Sequence, residues 1–209
     1  MSTTFDAIVT GIGGQGNVLA SRLIAYAYME RGLAVRTAET IGMSQRGGTV
    51  MSHVRVGTTL DDIPTSLISA GGADLILAFE PAEALRVIDH LSPTGLLITA
   101  IQPQRPVTSS LARETYDGEV HREYLAELLG EKYVELDGEV LTDFLGNPRV
   151  LNVVLLGAAI GNGDLDLTRD EMRAAISARV KPQFVELNHR ALDLGIANCR
   201  GGVCVLPED

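Results

Sequence analysis

Two glycine-rich clusters contain the residues of this sequence that could do chemistry. The first runs Gly11-Ile12-Gly13-Gly14-Gln15-Gly16 and has the dinucleotide-type spacing Gly11-x-Gly13-x-x-Gly16. Small residues at that spacing let the backbone turn tightly and approach a phosphate. A helix beginning just after it offers free N–H groups and a positive dipole end. The second cluster runs Gly42-Met43-Ser44-Gln45-Arg46-Gly47-Gly48. Arg46 there can turn its planar fork to a phosphate or substrate carboxylate, or to a carboxylate across a subunit interface. Ser44 and Gln45 can hydrogen-bond a ligand or cap local backbone. Gln15 can meet a ligand or partner, or serve only the turn. Asn152 interrupts the apolar run 150–156; if buried it must find a partner, in a ligand cleft or on nearby backbone.

The remaining chemical residues read more plainly. Arg55 and Arg105 are further cations that could serve an anionic ligand. His53 has no second His, Cys or acid at a ligand spacing nearby, so it is expected to be a buried or interface histidine and not a metal ligand. Cys199 and Cys204, the sole cysteines, are expected to be inert thiols near the end of the chain. No metal site is expected on this chain.

Elements that would position these residues follow from the hydrophobic pattern. Residues 5–10 (FDAIVT) suit a buried strand. A helical stripe of Leu19, Leu23, Ile24 and Ala27 follows the first cluster and stops at Gly32. Residues 35–39 then read as a second strand, completing a strand–helix–strand unit. Residues 49–56 alternate like a half-buried strand, and 74–79, 95–100 and 133–137 read as further strands. Helices are expected over 81–91, where Pro81 occupies the first turn, and over 121–130. Residues 102–118 read as a loop-rich connection. Beyond Pro148 three helices are expected, at 148–160, 168–178 and 182–197, the middle one opened by a Thr168/Glu171 capping box. Such alternation predicts an α/β fold: a Rossmann-like, mostly parallel sheet flanked by helices, with a helical C-terminal third.

Composition sets the limits. The chain has 209 residues, 45% of them hydrophobic and 21% charged, which suits one substantial core. A formal net charge of −10 argues against nonspecific nucleic-acid binding, which needs a concentrated positive surface. No signal peptide is visible, and no run approaches the roughly 20 apolar residues of a membrane span. A cytoplasmic protein with no membrane contact is expected.

From the residues alone the chain is a nucleotide- or phosphate-binding α/β domain. One reading is a self-contained NAD(P)-dependent oxidoreductase, with Glu39 placed at the end of the second strand where a ribose-binding acid would sit. Another is glycines that merely allow a tight turn, in a module that binds or scaffolds without catalysing.

The two clusters together, with Val50-Met51-Ser52-His53-Val54-Arg55 after the second and the Asn152-bearing segment 148–157, resemble the gamma-type domain of 2-oxoacid:ferredoxin oxidoreductases. The wording of the second cluster and of the 150–158 segment is nearest the smaller (beta) subunit of the indolepyruvate type. The resemblance spans roughly 5–194 and implies a single gamma-type domain over 1–209. It implies a subunit, inactive alone, of an enzyme that oxidatively decarboxylates a 2-oxo acid to an acyl-CoA and passes electrons to ferredoxin. Indolepyruvate and other aryl pyruvates are the implied substrates, with pyruvate, 2-oxoglutarate or branched-chain 2-oxo acids as alternatives. Thiamine diphosphate, Mg²⁺ and [4Fe–4S] clusters would sit on a larger partner. The chain has only two cysteines, where a cluster takes four thiolates, and no Gly-Asp-Gly magnesium motif. CoA is the ligand such a domain would meet. The residues concerned, at a CoA site or an interface, are Gly11, Gly13, Gly14, Gln15, Gly16, Ser44, Gln45, Arg46, Gly47, Gly48 and Asn152.

Overall fold

The structure, a computed structural model, describes residues 4–42, 48–103, 118–200 and 203–204. Its main sheet comprises β1 (Phe5–Ile12), β2 (Ala34–Ile41), β3 (Thr49–Gly57), β4 (Ala73–Ala78), β5 (Leu91–Ala100) and β6 (Tyr133–Leu136), in the order β2-β3-β1-β4-β5-β6. β1, β4, β5 and β6 pair in parallel, while β3 runs antiparallel to both of its neighbours, β1 and β2. Because β2 opposes β3 and β3 opposes β1, β2 points the same way as β1. Only β3 is reversed, so the expected mostly parallel sheet is present. The strand–helix–strand unit at the start of the chain is also present, but it is split: β3 lies between β1 and β2.

Helices cover both faces. α1 (Asn17–Glu30), α4 (Gly138–Phe144) and α5 (Leu151–Asn162) lie on one side; α6 (Arg169–Arg179) and α7 (Pro182–Asn198) pack outside them. That core holds Val9, Leu23, Ile24, Leu77, Leu155 and Leu192. α2 (Pro81–Val87) and α3 (Gly118–Leu129) cover the other side with Ile8, Ile76, Ala84, Val87, Leu97 and Leu125. Alternate residues of β1 and β4 therefore enter opposite cores, as a pleat buried on both faces requires. The segment between β3 and β4 also covers the second face. Arg36 donates to the Ile63 carbonyl at 2.7 Å, and the Ile68 N–H donates to His53 Nδ1 at 3.3 Å. His53 is buried, as expected; burial first, then His90 and Arg55, hold its pKa below the ordinary value. Arg55 is engaged at the sheet's other end, donating two hydrogen bonds of 2.8 Å to the Asp6 carboxylate, rather than free for an anion.

Most expected elements appear with boundaries moved by a few residues, and α4 is an addition. α2 is shorter than the pattern suggested because its last turn tightens into a 3-10 turn, Ile88–His90. The Asn152 helix likewise opens with a 3-10 turn, Pro148–Val150. Cys199 and Cys204 are backbone partners in a small antiparallel ribbon, β7 (Cys199–Arg200) with β8 (Val203–Cys204). Among the described residues no helix is long and apolar enough to cross a membrane.

Two features hold the helical third to the sheet. α5 and α7 cross at Gly157 and Gly195, where a methyl on Gly195 would meet the Val154 carbonyl and one on Gly157 the Leu192 carbonyl. Backbone has no rotamer with which to yield. Gly195→Ala is therefore expected to destabilise the chain by about 1–3 kcal/mol, read as a lower denaturant midpoint.

The second feature is a polar clasp. The capping box of α6 is formed: Glu171 N–H donates to the Thr168 hydroxyl at 3.2 Å, and Thr168 N–H to the Glu171 carboxylate at 2.7 Å. Arg31, just past α1, grips the same carboxylate with Nε and with Nη2, the latter at 2.6 Å. These donors, Arg31 foremost, pull the Glu171 pKa from 4.5 down to about 2. A carboxylate lowered in the fold adds stability above its unfolded value, and that stability is lost as pH falls through the folded one. Acid titration is thus expected to loosen the α1–α6 contact between about pH 4.5 and about 2, whereas Glu171→Gln should flatten that part of the stability profile.

Candidate functional site

The first glycine cluster closes the carboxyl end of β1 and opens α1. Gly14 and Gly16 have φ of 108° and 90°, a left-handed backbone that glycine adopts without cost. Gly16 is the N-cap of α1 and supplies no side-chain cap, so the first amides of the helix stay bare of one. Gly11 lies on β1 opposite Val50.

Gln15 folds back over the end of the sheet. Its carbonyl oxygen accepts from the Ile12 N–H at 2.7 Å, and its amide donates to the Phe79 carbonyl at 3.2 Å. One side chain thereby ties the ends of β1 and β4 together. This is the seam where the connections diverge: α1 leaves β1 for one face, and α2 leaves β4 for the other. In open α/β sheets such a seam forms the crevice where ligands bind. Asn17 and Asn152 complete the support. Asn17, 3% exposed, donates to the Ile12 carbonyl at 3.4 Å, and its own carbonyl oxygen has no partner among the described residues. Asn152, 2% exposed, donates to the Gly16 carbonyl at 3.4 Å and accepts from the Val153 N–H at 2.9 Å. Asn152 thereby bonds to neighbouring backbone and anchors α5 to the loop.

The second cluster meets the first. Gly13 N–H donates to the Gly48 carbonyl at 2.9 Å, and Gly42 N–H to the Thr49 carbonyl at 2.8 Å. The chain therefore leaves β2 and enters β3 beside the glycine turn. Ser44, Gln45, Arg46 and Gly47 lie outside the described residues, as does Arg105. Below this junction, on α2, Glu83 is 2% exposed and accepts from the Thr49 hydroxyl at 3.2 Å. Burial pushes its carboxyl up, against the pull of Thr49 and Arg86.

A cavity of about 630 Å³ opens at this end of the sheet. Its floor is Gly13, Gly14, Gln15 and Phe79; Gln102 and Pro103 form one side, and Gly138, Glu139, Thr142 and Asp143 of α4 another, with Pro148, Arg149 and Leu151 closing it. Such a volume lies within the range of roughly 300–1,000 Å³ typical of small-molecule sites. Gln102 locks the α4 wall: its amide donates to Asp137 at 2.6 Å, and its carbonyl accepts from Gly138 N–H at 3.0 Å. Asp137 is itself the N-cap of α4.

Of the expected site residues, Gly13, Gly14 and Gln15 line this cavity. Gly11, Gly16, Gly48 and Asn152 support it from behind. The pattern of the sequence did not reveal α4 or the lining residues Gln102, Glu139, Thr142, Asp143 and Arg149. The one available signal was Asp137 four residues before Leu141, a cap ahead of an apolar pair. Glu39 does not reach the crevice. β3 separates β2 from β1, and Glu39 pairs with Arg22 at 3.5 Å, so the acid a dinucleotide site would need is displaced by one strand. Among the described residues, no three or more His, Cys, Asp or Glu gather as metal ligands would.

The profile of the family described as pyruvate ferredoxin/flavodoxin oxidoreductase matches residues 6–198. A relative from Pyrococcus horikoshii, indolepyruvate oxidoreductase subunit IorB, is 37% identical over 193 residues, covering 92% of this chain and 94% of the relative. A keto/oxoacid ferredoxin oxidoreductase gamma subunit from Geobacter sulfurreducens superposes with a TM-score of 0.65 at 22% identity, over 92% of this chain and 96% of that one. A 2-oxoglutarate:ferredoxin oxidoreductase from Magnetococcus marinus, solved with 2-oxoglutarate, coenzyme A and succinyl-CoA bound, superposes with a TM-score of 0.66 at 20% identity. That superposition covers 93% of this chain but 30% of the other.

The Gln15 clamp has a direct test. Gln15→Glu keeps the shape and the acceptor for Ile12 N–H, but sets a carboxylate oxygen against the Phe79 carbonyl. An expected loss of about 1–3 kcal/mol in chemical denaturation would mark the amide as a structural tie; an unchanged midpoint would not.

Proposed function

Because the chain belongs to the pyruvate ferredoxin/flavodoxin oxidoreductase family, we propose that it is the smaller, gamma-type subunit of a 2-oxoacid:ferredoxin oxidoreductase acting on indolepyruvate and other aryl pyruvates. The observation that carries this reading is the 37% identity to an indolepyruvate oxidoreductase subunit over nearly the full length of both chains. The reaction converts the 2-oxo acid and CoA to an arylacetyl-CoA and carbon dioxide, with two electrons passed singly to ferredoxin. Thiamine diphosphate with Mg²⁺ and the [4Fe–4S] clusters reside on a larger partner subunit. This chain, a single gamma-type domain, contributes the seam at the glycine turn.

CoA is the ligand assigned to that seam. The residues present fit part of the molecule. Arg149 is the one cation of the described lining, opposed by the Glu139 and Asp143 carboxylates. That balance suits the neutral, amide-bearing arm of CoA better than its phosphates. The phosphates need further positive charge, and Arg46, with Ser44 and Gln45 in the stretch that leads to Gly48 beside Gly13, is the chain's candidate to supply it. Gly14 presents backbone without a side chain at the floor, whereas the Gly13 N–H is already held by the Gly48 carbonyl.

The test is co-expression with the thiamine-diphosphate subunit. The purified complex is expected to reduce ferredoxin with indolepyruvate only when CoA is present, and a colourless chain active by itself would overturn the assignment. Within that complex, Arg149→Ala and Arg46→Ala are each expected to raise the KM for CoA by roughly 10- to 100-fold, the loss of one charge-assisted hydrogen bond. The KM for indolepyruvate should stay unchanged.

A further inference from the structure

Among the described residues α3 packs on the body of the protein through the side that carries Gly118 and Leu125. Leu125 is fully buried there, and Arg122 beside it grips Glu135 at 2.9 and 2.7 Å. A strip roughly a quarter-turn round the helix from Leu125 is apolar as well. Val120, Tyr124 and Leu128 are 59%, 55% and 52% exposed. Spaced four residues apart, they form one ridge about 12 Å long at the helical rise. Single exposed apolar residues are ordinary, but three large ones in a row on a helix mark a surface made to be covered.

A second row runs beside the first. Glu123 and Glu127, continued by Glu131 in the next turn, are exposed and also four residues apart. Like charges at that spacing work against the helix, so this row weakens α3 unless a cation meets it. The charge also selects what can cover the ridge. A second copy of this chain would bring its own acidic row, and the chain carries a net charge of −10. Nucleic acids and anionic membranes are repelled in the same way. What remains is a protein surface with an apolar groove rimmed by Lys and Arg, the helix-in-groove mode of recognition.

We propose that the outer face of α3 is the ridge on which the larger, thiamine-diphosphate-binding subunit docks, Val120, Tyr124 and Leu128 entering its groove and the glutamate row meeting its basic rim. This assignment rests on the subunit reading above. It places the docking surface on the face of the sheet opposite α5.

Hydrogen exchange on the active complex tests it. Peptides covering 118–131 are expected to exchange about tenfold or more slowly than in the free chain. The double variant Glu123→Lys/Glu127→Lys should keep the melting temperature of the parent chain yet raise the dissociation constant of the complex about tenfold or more, the effect shrinking as salt rises. Tyr124→Ser/Leu128→Ser should weaken assembly at every salt concentration. An active, CoA-dependent complex in which 118–131 exchanges as in the free chain overturns the ridge and leaves the subunit reading intact. Absence of any active complex with that subunit removes both.

Discussion

The carboxamide of Gln15 governs this end of the molecule. Two parallel strands whose connections leave to opposite faces part at their carboxyl ends, and backbone groups there have no neighbour in the ladder. A half-buried amide with one acceptor and one donor satisfies the Ile12 N–H and the Phe79 carbonyl together. With the strand ends tied, Gly13 can receive the second glycine cluster through Gly48, and Asn152 can hold α5 against Gly16. The cavity floor is thus built of backbone held by the Gln15 side chain and by the bond between the two glycine clusters.

The reversed strand explains why a glycine motif of dinucleotide type sits in a protein of another kind. In a dinucleotide site the second strand lies next to the first and delivers its acid to the ribose. Here a hairpin folds back between them, and the acid at the second strand's end is turned to a salt bridge with Arg22. In exchange, the hairpin brings the second glycine cluster to the first. The motif's spacing was satisfied while its context was not.

This also marks how much the sequence could tell. β1, the glycine turn and α1 were legible because a buried apolar run, a permissive turn and a helical stripe follow one another without ambiguity. The α6 capping box was legible because both of its hydrogen bonds are local. Strand order was not, since nothing within 34–57 states which neighbour β3 will choose. α4 escaped because Asp137-Gly138 looks like a turn and seven residues give less than two helical periods. Arg149 and Gln102 gained their places only through that wall. Gln15 and Asn152 were legible as polar residues needing partners, but which partners they take is a matter of tertiary contact.

The position of β2 has a consequence for the chain before it meets anything else. Among the described residues no strand lies beyond it, and Thr37, Glu39, Thr40 and Ile41 are exposed. An open edge eight residues long is a template on which another strand can add. Arg36 and Glu39 put a charge on each face of that strand, so a stray copy stacking in register would set like charges directly side by side. The opposite edge, β6, is protected differently, being only four residues long. Among the described residues the sheet stops at six strands, and charge on one edge with shortness at the other disfavours its growth by a further copy.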